Sequence, residues 1–341
     1  KKRLEYYIGE GAKPNNIYRL ILAYLLWSET EYKKFEEFQG IKVADIITKL
    51  KKGTVPTKAF EHSIPDWLVE TLEKELGENW EKEMIALNEQ APTILRANSL
   101  KTSTKHLIEE LKHENVESFQ VPGFENAVQL EEKKNVFLTS AFKDGLFEVQ
   151  DAGSQKIGEF LDVKPGMRVV DACAGAGGKT LHLAALMENK GQIIAMDIHG
   201  WKLAELKRRA KRAGAHNIET REITDNKVIK RLHEKADRLL IDAPCSGLGV
   251  LKRNPDSKWK IDQDFIDRIR KEQETILQDY SKIIKKGGKM VYATCSILPS
   301  ENNEQVQNFL KNNSDFKLVK EEKVMPSTGF DGFYMALIER V

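Results

Sequence analysis

The sequence predicts an α/β protein whose C-terminal part, residues 151–341, is built on a doubly wound, mostly parallel β-sheet. Segments typical of strands alternate there with segments typical of helices. The strand cores are continuous apolar runs such as Val169-Val170 and Ile193-Ile194-Ala195-Met196, and strands that are apolar on both faces belong in parallel sheets covered by helices on both sides. A glycine-rich turn at 175–178 follows the first of these strands.

Three regions are predicted along the 341 residues, in keeping with roughly 100–200 residues per domain. Residues 1–90 form a helical region, because apolar residues between positions 17 and 25 recur at helical spacing. Residues 91–150 follow a β-α-β order and form a small α/β module. Residues 151–341 form the large α/β domain.

The individual elements follow from the same patterns, taken in order. In the small module, a helix is predicted at 103–113 and strands at 93–98, 116–121, 127–130 and 147–150. In the large domain, strands are predicted at 168–171, 192–197, 218–223, 238–242, 289–294 and 333–339. Helices are predicted between them at 179–188, 201–213, 226–233, 264–284 and 301–311.

The composition is that of a globular protein, with 40% hydrophobic and 31% charged residues. Three cysteines exclude a disulfide framework and favour a reducing compartment, so a cytoplasmic location is expected. No apolar run approaches the ~20 residues of a membrane span, and no secretory leader is predicted. The net charge of +2 is uneven: residues 151–341 carry +6, and the two preceding regions carry −2 each. This mild basic excess is a weak indication of an anionic partner such as nucleic acid.

The densest group of cations lies between residues 202 and 212. An exposed helix with its cations toward the C-terminus is favoured here over a track for phosphates, because cations at this spacing cannot all point one way. The group consists of Lys202, Lys207, Arg208, Arg209, Lys211 and Arg212.

The glycine-rich turn is the first motif with chemical content. Glycine lets the backbone pass close to a ligand, and the N-terminus of the following helix offers free N–H groups. Gly178-Lys179-Thr180 resembles the end of a phosphate-binding loop, but Ala172 stands where that loop requires its first glycine. A nucleotide hydrolase of the phosphate-loop class is therefore disfavoured.

Acidic residues follow the next two strands. Asp197 ends the second strand, where an acid in a doubly wound sheet binds ribose hydroxyls. Together with the glycine-rich turn, Asp197 favours a nucleoside ligand over a simple helix cap. Asp225 follows the third strand, where it would either lie at an adenine edge or cap the next helix.

Two cysteines, Cys245 and Cys295, end the next two strands. A free cysteine is usually a small buried hydrophobe, but both lie where open parallel sheets bind ligands, on strands that would be neighbours ~5 Å apart. No Cys-x₂-Cys pair and no nearby histidine completes a metal site, so no metal is predicted. Two thiols at a nucleoside site favour covalent chemistry.

These motifs resemble those of the RNA cytosine-C5 methyltransferases, in particular the bacterial 16S ribosomal RNA type (Sun/Fmu, RsmB-like), from about Ser63 onward. The combination of Pro244-Cys245 with Thr294-Cys295 is the most specific part, because the similar DNA enzymes carry a nucleophilic Pro-Cys cysteine without a later Thr-Cys. Further matching segments are Leu95-Arg96-Ala97-Asn98, Val149-Gln150-Asp151-Ala152-Gly153-Ser154, Pro255-Asp256-Ser257-Lys258-Trp259, Pro299-Ser300-Glu301-Asn302 and Asp331-Gly332-Phe333-Tyr334.

The resemblance implies a class I, Rossmann-like S-adenosylmethionine-dependent methyltransferase domain with a seven-stranded, mostly parallel sheet. Residues 91–150 are expected to form an RNA-recognising module packed beside this domain, because their β-α-β pattern joins it without an obvious linker. The family's commonest loop reads Cys-Ala-Ala-Pro-Gly-Gly-Lys; Gly175 and Ala176 depart from it but are both small, so cofactor binding is expected to survive. The implied cofactor-binding residues are Cys173, Ala174, Gly175, Ala176, Gly177, Gly178, Lys179, Asp197, Asp225 and Asp242.

Catalytic roles are also implied by the resemblance. Cytosine C5 is a poor nucleophile until a thiolate adds to C6. The resemblance assigns Cys295 as that nucleophile, places Asp242 near N3 of the base and the cofactor, and makes Cys245 the group that aids release. A free thiol has a pKa of ~8.5, so Cys295 needs nearby positive potential, for which Lys179 and Lys258 are candidates.

Two further readings concern residues around the cysteines. The segment after Cys245 has two interpretations. It either binds phosphate and stacks on a base through Arg253, Lys258 and Trp259, or it forms a solvated loop around one core tryptophan. Cys173 is interpreted as a structural residue or as part of the loop that touches the cofactor, not as a catalyst.

The expected partner is RNA, with small-subunit ribosomal RNA as substrate of a monomeric enzyme. Methylation of tRNA or another RNA is one alternative. A catalytically idle RNA-binding or ribosome-assembly module on the same fold is another, but the presence of Cys245, Cys295, Asp197 and Asp242 argues against it.

Overall fold

A computed structural model describes residues 17–31, 36–52 and 57–341. The rest of the predicted helical region, at 1–16, 32–35 and 53–56, lies outside the described residues. No helix within the described ranges is long and apolar enough to cross a membrane. The α-helices are Ile17–Trp27, Val43–Lys52, Lys58–Glu61, Asp66–Leu76, Trp80–Leu87, Thr104–His113, Ser140–Lys143, Ala152–Phe160, Gly178–Leu186, Gly200–Ala213, Asn226–Lys230, Gln263–Tyr280 and Asn303–Asn312. The strands are β1 (Ile94–Ala97), β2 (Ser118–Gln120), β3 (Ala127–Leu130), β4 (Phe147–Val149), β5 (Arg168–Asp171), β6 (Gln192–Asp197), β7 (Ile218–Glu222), β8 (Ala236–Asp242), β9 (Ile284–Thr294), β10 (Phe316–Val324) and β11 (Phe333–Arg340).

The large domain contains a seven-stranded sheet with the order β10-β11-β9-β8-β5-β6-β7. Strands β9, β8, β5, β6 and β7 are parallel, and β11 is antiparallel to both of its neighbours. The predicted doubly wound, mostly parallel sheet is therefore confirmed. Strand β10 has no counterpart among the predicted strands, because its core is the charged run Lys320-Glu321-Glu322-Lys323, which is typical of a protected edge strand rather than a buried one.

Helices cover both faces of this sheet, which explains its continuous apolar strands. Val169 and Ala195 belong to one buried cluster, together with Leu181 and Leu206 from two helices. Their chain neighbours Val170 and Ile194 belong to a second cluster on the opposite face. Successive residues of a strand point to opposite faces, so a strand that is covered on both sides must be apolar at every position.

Strands β8 and β9 are direct neighbours, and their register sets Asp242 opposite Ala293. The pairing continues beyond β8, since the N–H of Ala243 donates to the carbonyl of Ala293 at 2.9 Å. The segments that follow the two strands therefore begin side by side. This arrangement brings the Pro244-Cys245 and Thr294-Cys295 segments together, as the sequence predicts.

The small module has a four-stranded antiparallel sheet with the order β2-β3-β1-β4. Helix Thr104–His113 packs on one face of it through Leu107 and Leu111. The predicted β-α-β order is confirmed, with strand bounds that differ by one or two residues.

Two helices of the N-terminal region, Asp66–Leu76 and Trp80–Leu87, pack on the large domain. Their buried residues share a cluster with Leu248, Leu251, Ile297 and Leu298 of that domain. Those four residues lie just beyond the two cysteines in the chain, so these helices support the segments that carry the thiols.

Candidate active site

A cleft of about 290 Å³ opens at the C-terminal ends of β5, β6 and β8. Parallel sheets bind ligands at this edge. The cleft is lined by Ala172, Cys173, Gly175, Asp197, Ile198, His199, Lys202, Ile223, Asp242, Pro244, Glu272, Ile276 and Tyr280. Four of the residues predicted to bind a cofactor therefore line the same cleft, namely Cys173, Gly175, Asp197 and Asp242.

Asp197 holds the glycine-rich loop in place. Its Oδ2 accepts the N–H of Gly175 at 2.9 Å, and its Oδ1 accepts the N–H of His199 at 2.8 Å. Gly175 has a φ of +54°, in the left-handed region that glycine adopts most readily. A glycine where the family's commonest loop has alanine therefore suits this conformation.

The other residues of the predicted loop build the turn without lining the cleft. The N–H of Ala174 donates to Met196 at 2.8 Å, and the carbonyl of Ala176 accepts from Arg209 at 2.9 Å. Gly177, with a φ of +90°, caps helix Gly178–Leu186. A Cβ at that position would lie 2.5 Å from Leu206 Cγ, so a larger residue would separate two packed helices. The carbonyl of Gly178 accepts from Arg96 at 2.7 Å.

Asp225 lies outside the cleft lining. It is exposed, and its Oδ1 accepts the N–H of Lys227 at 2.8 Å, as the N-cap of helix Asn226–Lys230. The sequence left two roles open for Asp225, an adenine contact or a helix cap, and the structure shows the helix cap. Ile223, two residues earlier, lines the cleft instead. A direct role of Asp225 toward a cofactor stays a prediction.

Lys179 reaches from the first turn of its helix to the end of β8. Its Nζ donates to Oδ2 of Asp242 at 2.6 Å. Burial alone lowers the pKa of Lys179, but the charge and hydrogen bond of Asp242, with a smaller contribution from Cys295, raise it above its ordinary value. Lys179 is therefore a permanent cation that interacts with both Asp242 and Cys295.

The Sγ atoms of Cys245 and Cys295 lie 3.3 Å apart, within contact of each other. Three influences raise the pKa of the Cys245 thiol well above its ordinary range: the hydrogen bond with Cys295, burial, and the negative charges of Cys295 and Glu301. The pair thus favours a neutral Cys245 that can donate a hydrogen bond to its partner.

Cys173, which is half-buried, lines the cleft, and Asp171 is fully buried close by in the chain. Burial and the carboxylates of Asp171 and Asp242 raise the pKa of Cys173 well above its ordinary value, which makes it a poor nucleophile. Burial raises the pKa of Asp171 to about 7, although its Oδ2 accepts a 2.7 Å hydrogen bond from Thr180.

Arg253 and Lys258, which follow Cys245, both bind other side chains of the protein. Arg253 pairs with Asp331 and with Asp151, the latter at 3.0 Å. Lys258 is buried, and its Nζ donates to the side chain of Asn88 at 3.1 Å. Trp259 is 41% exposed. Of the three residues considered for RNA, Lys258 is buried, whereas Arg253 and Trp259 keep exposed surface.

The cationic helix Gly200–Ala213 has two different faces. One face is exposed, as expected for the exposed cationic helix that the sequence favours; it carries Lys207, Arg208 and Lys211. Arg209 and Arg212 instead turn toward the small module and pair with Glu148 on β4, whose side chain is only 4% exposed. These two ion pairs join the module to the large domain.

Among the cleft residues that were not identified from the sequence, three lie on one helix. Glu272, Ile276 and Tyr280 occupy successive turns of helix Gln263–Tyr280. Their i, i+4, i+8 spacing marks one face of a helix. The spacing does not indicate which part of the protein this face contacts. Only the packing of the helix in the folded structure shows that the face lines the cleft.

Histidine, cysteine and acidic side chains form no group of three or more that could hold a metal ion in the part of the chain that the structure describes.

Comparison with family models matches both folded parts of the chain. A model described as 16S rRNA methyltransferase RsmB/F matches residues 159–338. A second model, described as the ferredoxin-like domain of RsmF/B-like methyltransferases, matches residues 64–137.

Individual relatives and solved structures agree with these matches. The probable ribosomal RNA small subunit methyltransferase B of Synechocystis sp. is 36% identical over 290 residues, covering 84% of this chain and 63% of that protein. The chain therefore spans less than two thirds of the length of this relative. The crystal structure of PH0851 superposes with a TM-score of 0.80 at 28% identity, covering 99% of this chain and 80% of that one. A methyltransferase homolog from Pyrococcus horikoshii superposes with a TM-score of 0.74 at 27% identity, covering 83% and 98%. The chain belongs to the RsmB/F family of 16S rRNA methyltransferases.

Proposed function

We propose that this chain transfers a methyl group from S-adenosylmethionine to C5 of a cytosine in RNA, with 16S ribosomal RNA as the substrate. The observation that carries the proposal is the thiol pair: Cys245 and Cys295 are 3.3 Å apart at the ends of adjacent strands, beside a cleft suited to a nucleoside. Family membership supports the reaction and the substrate class.

S-adenosylmethionine is the methyl donor of this family, and the residues of the cleft fit it. Asp197 presents carboxylate oxygens for ribose hydroxyls, and Ile198, Ile223 and Tyr280 supply flat or apolar surface for adenine. Asp242 adds a negative charge to the same cleft, which suits a cationic sulfonium. When bound, the cofactor would supply an electrophilic methyl group and leave as a neutral thioether that keeps the electron pair of the broken sulfur–methyl bond.

Cys295 is the proposed nucleophile. Its thiolate adds to C6 of the cytosine, and the electrons of the C5=C6 bond make C5 able to form the new bond to the methyl carbon. Two features favour the thiolate on Cys295, namely the Lys179 cation that acts on it and the thiol of Cys245 that can donate to it. Asp242 is the proposed partner of N3, and its bond to Lys179 holds it at the rim of the cleft.

Cys245 is the proposed base for the second half of the reaction. The C5 proton must leave before the Cys295–C6 bond can break, and the electrons of the C5–H bond then restore the C5=C6 double bond. Once Cys295 is a thioether, it carries no negative charge and is a much weaker hydrogen-bond acceptor, so two causes of the raised pKa of Cys245 are removed, while burial and Glu301 remain. Cys245 can then release its thiol proton to solvent and, as a thiolate, accept the proton from C5.

Methyl transfer to defined RNAs tests the proposal. Purified protein is incubated with labelled S-adenosylmethionine and either deproteinised small-subunit ribosomal RNA or total tRNA, and the nucleosides are identified by mass spectrometry. We expect 5-methylcytidine in the ribosomal RNA. Labelling of tRNA alone would reassign the substrate, labelling at another atom would refute the C5 chemistry, and cofactor binding without transfer to any RNA would favour an idle RNA-binding module.

A further inference from the structure

We infer that Glu301 is a positioning residue that holds the two cysteine-bearing segments against each other and places its negative charge on the Cys245 side of the thiol pair. The inference rests on the proposed function for its catalytic meaning. Its central test, the reactivity of the thiols, needs neither RNA nor cofactor.

A single carboxylate binds the residues that directly follow both cysteines. Glu301 Oε1 accepts the hydroxyl of Ser246 at 2.5 Å and the hydroxyl of Ser296 at 2.6 Å. Its Oε2 accepts the N–H of Ser246 at 2.8 Å and the side-chain amide of Gln273 at 3.0 Å. The two serines are 50 positions apart in the chain, yet one side chain joins them.

Glu301 is itself fixed by its surroundings. Its main-chain carbonyl accepts the hydroxyl of Tyr292 at 2.8 Å, from within β9. The neighbouring Asn302 accepts from Thr294 and donates to the carbonyl of Ser296 at 2.9 Å. Gln273 also donates to the carbonyl of Pro244 at 2.9 Å. Each thiol is therefore flanked on both sides by residues tied to this network.

The charge of Glu301 is unusual in its setting. The side chain is fully buried, and no lysine or arginine among the described residues forms an ion pair with it. All four of its hydrogen-bond donors are neutral groups. A buried carboxylate in that position disfavours a second negative charge nearby, and Cys245 is the thiol whose pKa it contributes to raising, after Cys295 and burial.

The thiol pair thus lies in an asymmetric electric field. Lys179 acts on Cys295 as a cation, and Glu301 acts on Cys245 as an anion. A further titratable neighbour of Cys245 among the described residues is the phenol of Tyr292, which stays neutral because burial raises its pKa. This arrangement keeps the proton on Cys245 and leaves Cys295 free to attack.

The experiment compares Glu301→Gln with the wild type and with Glu304→Gln, a matched change three residues further on at an exposed site. Each thiol is alkylated with iodoacetamide across a pH series, and the modified cysteines are quantified by peptide mass spectrometry. We expect the alkylation midpoint of Cys245 to fall by about one pH unit in Glu301→Gln, because the carboxylate charge is gone. Cys173 serves as an internal control that does not contact Glu301.

Kinetics then separate positioning from simple loss of fold. We expect kcat to fall on the order of 10²-fold through misplacement of the thiols, with the KM for RNA and the affinity for S-adenosylmethionine unchanged. Ser246→Ala removes one hydroxyl donor of the network but keeps the carboxylate, and it provides a second variant if Glu301→Gln folds poorly. We expect a smaller fall in kcat in Ser246→Ala, with no fall in the alkylation midpoint of Cys245.

An unchanged Cys245 midpoint in folded Glu301→Gln would refute the inference. A loss of activity in either variant that only matches its lost folded fraction would refute it as well. A shifted midpoint in a protein whose wild type methylates no RNA would instead retain the positioning role and overturn the proposed function. The two failures are therefore distinguishable.

Discussion

Lys179 donates a 2.6 Å hydrogen bond from Nζ to Oδ2 of Asp242, and this contact joins the glycine-rich loop to the end of β8. The two residues are 63 positions apart. Their side chains are 14% and 29% exposed, so the pair is only partly screened by water. It brings a cation to the place where the cofactor cleft meets the thiols.

Removal of this cation tests its effect on the nucleophile. In Lys179→Met we expect alkylation of Cys295 at pH 7 to slow several-fold, because a thiolate there loses an attractive charge. Lys179→Arg retains the charge and is expected to retain most of the reactivity. Lys190→Met, at an exposed ion pair in the turn after the same helix, is the control. Equal alkylation rates in Lys179→Met and wild type would assign the activation of Cys295 to another group.

The two thiols are distinguished by trapping. In Cys295→Ala we expect no methyl transfer and no covalent complex with RNA. In Cys245→Ala, addition to C6 and methylation still occur but loss of the C5 proton is impaired, so we expect an RNA adduct that survives denaturing electrophoresis. The reverse pattern would exchange the two roles, and activity in both variants would exclude the covalent mechanism. Stability losses of about 1 kcal/mol are expected for either change, too little to unfold the protein.

Asp197 and Asp225 are compared by cofactor affinity. Asp197→Ala removes the acceptor of the Gly175 and His199 N–H groups, so we expect S-adenosylmethionine to bind at least about ten-fold more weakly in calorimetric titrations. Asp225→Asn retains a good N-cap and removes only the charge. Unchanged affinity in Asp225→Asn would limit Asp225 to capping, whereas a marked loss would give it a direct role toward the cofactor.

Asp171 gives the folded protein a specific pH dependence. Its pKa is about 7 when folded against an ordinary value of 3.8, so the folded state holds the proton more tightly than the unfolded state. Protonation of Asp171 therefore adds at most about 4 kcal/mol to the free energy of unfolding. This stabilisation is complete below about pH 4 and is lost as the pH rises to about 7. Asp171→Asn mimics the protonated form. In urea unfolding, we expect the variant to gain stability over wild type from pH 4.5 to pH 8; a constant difference would show that Asp171 does not titrate in this range.

Glu148 tests the attachment of the small module. Glu148→Gln leaves Arg209 and Arg212, both about one fifth exposed, without their carboxylate partner. We expect a loss of about 1–3 kcal/mol in the free energy of unfolding, measured with urea. The control is Glu205→Gln, which removes a more exposed pair with Arg208 on the same helix and is expected to cost less than about 1 kcal/mol. Equal losses in the two variants would contradict a structural role for the Glu148 pairs.

Much of the large domain is predictable because its signals are local. Val169-Val170 and the run 193–196 are apolar on both faces, and that pattern alone specifies strands covered by helices. Because parallel strands end at one edge, Asp197, Asp242 and the two cysteines could be assigned to a common site. Strand β10 was not predicted, because its exposed charged residues do not alternate with apolar ones.

The sequence by itself determined the order of strands and helices, the glycine-rich turn and the residue at each strand end. Only the tertiary structure decided which of these residues touch. Adjacency of β8 and β9 brings Cys245 to 3.3 Å from Cys295, a buried Glu301 ties the serines that follow them, and Glu148 pairs with arginines some sixty residues away. The physical reason is that the periodicity of a segment reports only which of its own faces are buried. Contacts between side chains that are distant in the chain depend on how the crossover connections pack those faces together.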